Sequence, residues 1–213
     1  MDVERFLREL PQLYDDFPRS EHPRDGRFAD VLEAVQGLAE PNNLALLNLA
    51  ATCIPPGESY AEAGTFRGTS LVSALLGNDV DAIAIDNFSF RDGSREQLDA
   101  NLARFDLQGR PWIVEGDVFD KLRDGTLAGK RIGVWYYDNG HEYEEQLDGL
   151  RLVEPYLADE ALLIVDDADW ERVDRAIVDY LAQQPRAAEV LRLDGKDRGR
   201  EGWWYGMSLI RWS

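Results

Sequence analysis

Apolar residues in the central part of this chain follow two alternating patterns. Short apolar runs predict strands at about 58–63, 80–86, 111–116, 132–138 and 161–166. Apolar residues three or four positions apart predict helices at about 68–77, 94–105, 142–157 and 170–184. Strands that alternate with helices in this way predict an α/β fold with a parallel, doubly wound sheet.

The last part of the chain changes pattern. Segments 187–193 and 203–212 are both strand-like, and the charged, glycine-bearing loop 194–202 separates them. Because no helical pattern lies between these two strands, we expect them to pair as an antiparallel hairpin. The complete sheet then has seven strands and is mostly parallel, with the hairpin at its C-terminal end.

The N-terminal quarter shows helical patterns without strands. It opens with a polar, proline-bearing arm that predicts one short helix. Apolar residues from Phe28 to Leu38 then follow helical spacing, and a second apolar helix is predicted at about 43–53. We therefore divide the chain into an N-terminal helical cap, residues 1–54, which serves as a lid or a dimer surface, and a sheet domain, residues 55–213.

Composition narrows the class of partner. The 213 residues include 41 acidic and 23 basic side chains, for a net charge of −18. Such an acidic chain repels nucleic acid and anionic membranes, so we expect a small-molecule partner and neither of those. The sequence shows no secretory leader and no apolar run of the roughly 18 residues that span a bilayer, so we expect a cytoplasmic protein. Cys53 is the only cysteine, which excludes an internal disulfide.

The most informative motif joins the first predicted strand to the following helix. It reads Glu-x-Gly-x-x-x-Gly-x-Ser, from Glu62 through Gly64 and Gly68 to Ser70. Glycine lets a ligand approach the backbone and a helix N-terminus presents free N–H groups, so the loop is typical of a nucleotide-like cofactor site. The spacing differs from the Gly-x-Gly-x-x-Gly fingerprint of nicotinamide dehydrogenases and from the phosphate loop, which makes both less favoured.

Acidic residues follow the next two predicted strands. Asp86 ends the second strand, where a carboxylate commonly accepts hydrogen bonds from both hydroxyls of a ribose. Asp117 follows the third strand, where a carboxylate can accept a hydrogen bond from the exocyclic amine of adenine. Each is alternatively an ordinary turn residue, but their joint placement at successive strand ends favours a cofactor site.

Three further aspartates follow the fourth and fifth strands. Asp138 ends the fourth, and Asp166 and Asp167 end the fifth. Neighbouring strands lie about 4.8 Å apart, so these carboxylates would face one small volume and repel each other unless a cation neutralises them. Oxygen ligands suit Mg²⁺, with Mn²⁺ and Ca²⁺ as alternatives. The competing interpretation is that Asp166 caps the next helix and Asp167 points to solvent.

His141 lies three residues after Asp138 and is one of only two histidines. An imidazole beside carboxylates suits a base that removes a proton from a substrate hydroxyl, although a lone histidine is more often structural. We assign no role to His22. Trp170 and the segment Trp203–Tyr205 are interpreted as core or rim residues, with the wall of an acceptor pocket as the alternative.

Through these motifs, residues 44–213 resemble the class I S-adenosylmethionine-dependent methyltransferases, which share a Rossmann-like fold. The likeness is greatest to a bacterial small-molecule group related to macrocin-type and catechol-type O-methyltransferases. The matching stretches are 62–70, 84–88, 137–143 and 164–167, together with the closing hairpin.

The resemblance implies a role for each motif. Residues 55–213 would bind S-adenosylmethionine, with the glycine loop at its methionine end, Asp86 at the ribose and Asp117 at the adenine amine. The implied cofactor-binding set is Glu62, Gly64, Thr65, Phe66, Gly68, Ser70, Asp86, Asn87, Gly116, Asp117 and Asp138. In the catechol-type enzymes the metal ligands correspond to Asp138, Asp166 and Asp167. The base of those enzymes is commonly lysine, and His141 stands at its position, which leaves the base open.

Three hypotheses follow. The first is a metal-assisted O-methyltransferase in which Asp138 and His141 act on the hydroxyl of a small molecule. The second is a metal-independent methyltransferase acting on nitrogen, and the third is a non-catalytic protein of the same fold that binds cofactor or metabolite. The acceptor remains unidentified, and a homodimer is one option for the oligomeric state.

Overall fold

The computed structural model describes residues 1–196 and 202–213 and contains one mixed sheet. Its strands are β1 (Ser59–Ala63), β2 (Asp81–Asp86), β3 (Trp112–Glu115), β4 (Ile132–Tyr137), β5 (Leu157–Val165), β6 (Ala187–Leu193) and β7 (Met207–Trp212). Their order across the sheet is β3-β2-β1-β4-β5-β7-β6. Strands β1 to β5 are parallel, and β7 is antiparallel to both β5 and β6. The predicted seven-stranded sheet with its C-terminal hairpin is confirmed.

Eight α-helices surround the sheet within the described residues. They are α1 (Val3–Glu9), α2 (Arg27–Ala34), α3 (Pro41–Thr52), α4 (Thr69–Leu75), α5 (Arg95–Arg104), α6 (Val118–Arg123), α7 (Tyr143–Arg151) and α8 (Glu171–Gln183), with 3-10 turns at Leu10–Leu13 and Glu154–Tyr156. Helix α5 is capped by Ser94, the residue just before it, whose side chain accepts a hydrogen bond from the backbone N–H of Gln97. In the part of the chain that the structure describes, no helix is both long and apolar enough to cross a membrane.

Both faces of the sheet are buried, and successive residues of one strand serve different cores. Val134 and Tyr136 of β4 belong to the core that α1 to α5 cover, whereas Trp135 and Tyr137 belong to the core under α6 to α8. The parallel strands are therefore apolar on both sides, which is why they appear in the sequence as continuous apolar runs.

The N-terminal helices share the first of these cores. Eleven of the twelve residues of α3 are buried, and the side-chain amide of Asn48 donates to the carbonyls of Ser73 and Leu76 near the end of α4. The predicted boundary after residue 54 therefore falls inside one continuous apolar core. Whether this segment also acts as a lid or a dimer surface stays a prediction.

Four predicted boundaries differ from the structure by more than two residues. The helix predicted at 142–157 ends at Arg151, and a 3-10 turn containing Pro155 leads directly into β5, which begins at Leu157 instead of 161. Proline has no N–H to continue the α-helical hydrogen bonds. The helix predicted from Phe28 to Leu38 ends at Ala34, because Val35 has an extended backbone.

The last strand begins at Met207 instead of 203, because the segment before it turns: the N–H of Gly206 donates to the carbonyl of Trp203. Helix α6 was not predicted, since it has only six residues and begins at the side-chain cap of Asp117. Of the loop predicted at 194–202, residues 197–201 lie outside the described part of the chain.

Candidate active site

A cavity of about 740 Å³ opens where β1, β2, β4 and β5 end. Ligands of open parallel sheets bind at this edge, and the volume lies within the roughly 300–1,000 Å³ of small-molecule sites. Seven of the eleven predicted cofactor-binding residues line it: Gly64, Thr65, Phe66, Ser70, Asp86, Asn87 and Asp138. Of the predicted metal and catalytic residues, Asp166, Asp167 and His141 line it as well.

The glycine loop is held tightly against the end of β4. Gly64 has a φ of 88°, and a Cβ built on it would lie 1.8 Å from the carbonyl oxygen of Asp138. The N–H of Asp138 donates to the carbonyl of Ala63, which keeps the two strand ends in register. Only glycine fits at this position, so the first glycine of the motif brings the loop and the acidic strand end together.

Glu62 lies beneath the loop and does not line the cavity. Its carboxylate is fully buried and accepts hydrogen bonds from the hydroxyls of Tyr60 and Ser70, at 2.8 and 3.1 Å. Burial raises the pKa of Glu62 to about 7, because desolvation outweighs these hydrogen bonds. The structure thus gives Glu62 a role in supporting the loop, and its predicted contact with cofactor stays a prediction, as does that of Gly68.

Asp86 organises the loops that follow β1 and β2 at the edge of the cavity. Its two carboxylate oxygens accept hydrogen bonds from the N–H groups of Phe66 and Phe88, each at 2.6 Å. Both donors have positive φ angles, 51° and 52°, which aim their N–H groups back at the carboxylate. Each oxygen keeps a further lone pair, so the carboxylate remains able to accept from the two hydroxyls of a ribose.

Gly116 and Asp117 lie outside the residues that line the cavity. Oδ1 of Asp117 accepts hydrogen bonds from the N–H groups of Phe119 and Asp120 and so caps α6. In the structure, Asp117 is therefore a turn residue that caps a helix, which agrees with the alternative interpretation. Its contact with an adenine amine stays a prediction.

The floor of the cavity brings together Asp138, His141 and Asp167. One ligand atom from each lies within 4.8 Å of the others. Nε2 of His141 is 2.7 Å from Oδ2 of Asp167 and 3.9 Å from Oδ1 of Asp138. The contact with Asp167 raises the pKa of His141 above its usual 6.5, because the carboxylate stabilises the imidazolium.

Asp166 turns away from this group. The hydroxyl of Tyr136 donates to its Oδ2, and the N–H of Asp167 donates to its Oδ1. Burial and the neighbouring charge of Asp167 raise the pKa of Asp166 to about 6. The pKa of Asp138 is also well above its usual value, through burial and then repulsion from Asp166 and Asp167. Of the three predicted metal ligands, the structure thus groups two with His141 and directs the third to Tyr136.

Sequence reasoning missed several residues of this cavity. Tyr136 was treated only as part of a strand, although it stands two residues before Asp138 and so points to the same face. Trp170, Trp204 and Tyr205 line the cavity, which supports the pocket-wall alternative for them, whereas Trp203 is buried in the core. The N-terminal segment contributes lining from Gly37 to Leu47, a contribution without a recognisable motif.

The residues present fit both a cofactor and a cation. Asn43 Oδ1, on the cavity wall, is buried without a hydrogen-bond partner, as expected where a polar ligand completes the site. Asp167 Oδ1 is likewise buried and unpaired, and Nε2 of His141 makes no directed hydrogen bond despite its short distance to Asp167. Oxygen and imidazole donors beside repelling carboxylates are the surroundings that a divalent cation stabilises.

The strand order, the glycine loop and the acidic strand ends define a class I methyltransferase fold. A family model described as a methyltransferase domain matches residues 61–168, half of the chain, and the chain belongs to that methyltransferase family. The recognition of a class I S-adenosylmethionine-dependent methyltransferase is therefore confirmed. A comparison with curated proteins gave no match.

Solved structures share this fold along nearly the whole chain. The O-methyltransferase from Bacillus cereus, solved with SAH, has a TM-score of 0.66 at 13% identity and covers 99% of this chain and 100% of its own. TomG from Streptomyces achromogenes, an O-methyltransferase of tomaymycin synthesis solved with SAM, has a TM-score of 0.66 at 15% identity, with coverages of 100% and 99%. Cofactor-bound Rv0187 from MTB has a TM-score of 0.66 at 20% identity, with coverages of 98% and 95%. At these identities the likeness shows the fold alone.

Proposed function

We propose that the protein transfers the methyl group of S-adenosylmethionine to a hydroxyl oxygen of a small molecule, with a divalent cation assisting. The observation that carries this proposal is the location of His141. Its imidazole contacts Asp167 in the same cavity that the glycine loop and Asp86 enter. The proposed cofactor site and the proposed proton acceptor therefore share one cavity.

The cofactor half of the cavity lies over β1 and β2. Asp86 would accept from the ribose hydroxyls, and the loop from Gly64 to Ser70 would lie along the methionine end. The Bacillus cereus enzyme and TomG, which have this fold, were solved with SAH and SAM respectively, and this supports the choice of cofactor. S-adenosylmethionine supplies the methyl group, whose bond to sulfur breaks as its bond to the acceptor oxygen forms.

The proton of the hydroxyl would pass to Nε2 of His141. Asp167 favours this transfer because its carboxylate stabilises the imidazolium that forms. A divalent cation, when bound, would lower the pKa of the acceptor hydroxyl, with Asp138 and Asp167 as its carboxylate ligands. Leu44, Leu47 and Trp170 present apolar surface to the cavity, which excludes water and aligns the acceptor.

Titration calorimetry with S-adenosylhomocysteine tests the cofactor site. We expect binding to the wild type and at least tenfold weaker binding to Asp86→Asn. The control is Asp81→Asn, which makes the same change at the exposed, opposite end of β2. Equal affinity in both variants would argue against the ribose role of Asp86.

Transfer of a labelled methyl group to a panel of hydroxylated and aminated acceptors tests the reaction. We expect O-methylated product, a loss of at least 100-fold with His141→Asn, and recovery of chelator-treated protein on addition of Mg²⁺. Full activity after chelation would remove the cation from the mechanism and leave the His141–Asp167 pair as the proton acceptor. Cofactor binding without transfer to any acceptor would contradict the proposed function.

A further inference from the structure

Exposed apolar side chains concentrate around the cavity. In the described part of the chain, the large apolar side chains that are exposed are Leu38, Phe90, Trp112, Trp170, Val178 and Tyr205. Four of these six line the cavity, and Trp112 and Val178 do not. Exposed apolar surface gathered at a concave site marks a place where a ligand of similar character binds.

Three of the cavity's aromatic rings form a continuous wall on one side. Trp170 and Tyr205 have ring centroids 5.6 Å apart, and Tyr205 and Trp204 have theirs 5.5 Å apart, each pair edge to face. The ring of Trp170 lies 4.9 Å from that of His141. We call Trp170, Tyr205 and Trp204 the aromatic wall; Trp170, beside the proposed proton acceptor, and Tyr205 are exposed, and Trp204 is half-buried.

The backbone holds this wall in place. The N–H of Ala168 donates to the carbonyl of Gly206, and the N–H of Asp169 donates to the carbonyl of Tyr205. These bonds join the loop after β5 to the turn before β7. Trp204 has a φ of 44°, a conformation that is rare for a bulky residue and persists only where the surrounding structure holds it.

Sheet order places the aromatic wall away from the cofactor half. Asp86 ends β2, whereas the wall follows β5 and precedes β7. Strands β1 and β4 lie between β2 and β5, so the two strand ends are about 14 Å apart at the usual strand spacing. The aromatic wall therefore faces the acceptor, which must reach His141.

The side chains that line the cavity beside the aromatic wall indicate which kind of acceptor binds there. The polar groups there lie at the floor, around Asp138 and His141, with the unpaired Asn43 Oδ1 on the wall, and Leu44 and Leu47 of the same helix add apolar lining. An acceptor with many hydroxyls, such as a sugar, would leave most of them without partners. A phenolic hydroxyl, with an ordinary pKa of about 10, also loses its proton far more readily than an aliphatic one, whose pKa is near the ~15.7 of water.

We propose that the methyl acceptor is a phenol with an extended aromatic system of two or more rings, held against the aromatic wall with its hydroxyl at His141. The wall consists of three rings whose neighbouring centroids lie 5.5 to 5.6 Å apart, so a ligand with a single ring would contact only part of it. The proposal rests on the proposed function and adds Trp170 as its main specificity-determining residue. Aromatic stacking supplies the affinity, and the ring nearest His141 carries the hydroxyl to be methylated.

Binding to the S-adenosylhomocysteine-loaded protein, followed by calorimetry, tests the proposal without requiring turnover. The probes are 2-naphthol, phenol and decahydro-2-naphthol, whose saturated rings match 2-naphthol in size but cannot stack. We expect 2-naphthol to bind at least tenfold more tightly than either. Trp170→Ala should weaken 2-naphthol about tenfold and change decahydro-2-naphthol less than twofold.

Trp112→Ala is the matched control, because Trp112 is 42% exposed, as Trp170 is, but lies outside the cavity. We expect it to leave the binding of all three probes unchanged. Equal binding of the saturated and aromatic probes, no binding of 2-naphthol, or an unchanged affinity in Trp170→Ala would each overturn the aromatic acceptor. Methyl transfer to a non-aromatic hydroxyl alongside such a result would leave the proposed function standing, whereas failure to bind S-adenosylhomocysteine would end both.

Discussion

The hydroxyl of Tyr136 donates a hydrogen bond of 2.5 Å to Oδ2 of Asp166 and lies 3.4 Å from Oδ2 of Asp138. This hydroxyl, on β4, is the hydrogen-bond donor to the carboxylate that directly follows β5. Asp166 is thereby held apart from its neighbour Asp167, whose φ of 52° turns its side chain towards His141. Two adjacent aspartates thus have different tasks in one site.

Replacing this tyrosine should expose how much the site depends on the hydroxyl. We expect Tyr136→Phe to lower the free energy of unfolding by about 1–3 kcal/mol, because it leaves buried carboxylate oxygens without a donor. The loss should be larger at pH 8 than at pH 5, since the pKa of Asp166 is about 6 and the ionised form needs the hydrogen bond most. Urea unfolding at the two pH values measures this.

A second tyrosine–aspartate pair provides the control for that experiment. The Tyr143 hydroxyl donates to Asp179 at 2.7 Å between α7 and α8, but this pair is only partly buried. Tyr143→Phe should cost less than about 1 kcal/mol. If both variants lose the same free energy of unfolding at both pH values, the burial of the Tyr136 hydroxyl does not increase the contribution of its hydrogen bond.

Some residues of this site are positioned by the strands that carry them, which the sequence predicts. Others are positioned by contacts with distant residues, which the sequence does not predict. Asp86, Asp138, Asp166 and Asp167 were found because strand periodicity and the parallel connection place strand ends at one edge. The direction of Asp166 was not predictable, because it depends on a tyrosine of the neighbouring strand and on the backbone angle at Asp167.

The same limit applies to the aromatic wall and the short helix. Trp204 and Tyr205 were assigned to a strand because their residue types favour strands, whereas the turn that places them in the cavity is fixed by hydrogen bonds to residues 168 and 169. Helix α6 is too short for a helical apolar period to be visible, and its start is set by the side chain of Asp117.

Gly64 should tolerate no side chain. We expect Gly64→Ala to lower the free energy of unfolding by more than about 3 kcal/mol and to abolish S-adenosylhomocysteine binding, because the new Cβ would displace the carbonyl of Asp138. Gly57 has the same φ of 88°, but a Cβ built on it would meet no atom within 4 Å. Gly57→Ala should therefore cost only the backbone strain of about 1–2 kcal/mol, and thermal denaturation of both variants makes the comparison. Equal losses would mean that strain alone, and not the approach of β4, requires glycine at 64.

Glu62 should make stability fall with rising pH. Its folded pKa of about 7 exceeds the ordinary 4.5, so between these values the folded state holds a proton that the unfolded state releases. Stability contributed by this group is present below about pH 4.5 and is lost as the pH rises through 7. Relative to wild type, Glu62→Gln should gain up to about 3 kcal/mol between pH 5 and pH 8, at roughly 1.4 kcal/mol per pKa unit.

Chemical unfolding at several pH values measures the difference between Glu62→Gln and wild type. The control, Glu115→Gln, makes the same change at an exposed position on β3 and should alter stability by less than about 0.5 kcal/mol. A pH-independent difference for Glu62→Gln would show that the buried carboxylate is ionised throughout.

The pairing of His141 with Asp167 predicts the pH at which the proposed base becomes available. The chain has only two histidines, so NMR titration of wild type and His22→Asn assigns the ring signal of His141 directly. We expect its pKa to lie above the usual 6.5 in metal-free protein and to fall in Asp167→Asn, because that carboxylate is the main cause of the shift. Asp138→Asn should move it less, since Oδ1 of Asp138 lies 3.9 Å from the ring nitrogen against 2.7 Å for Asp167. Because only neutral imidazole accepts a proton, methyl transfer should rise with pH through the pKa that His141 has in the cation-loaded protein, which lies below the metal-free value because the cation repels the imidazolium. If the His141 signal has the same pKa in Asp167→Asn as in wild type, Asp167 does not stabilise the imidazolium of the proposed base.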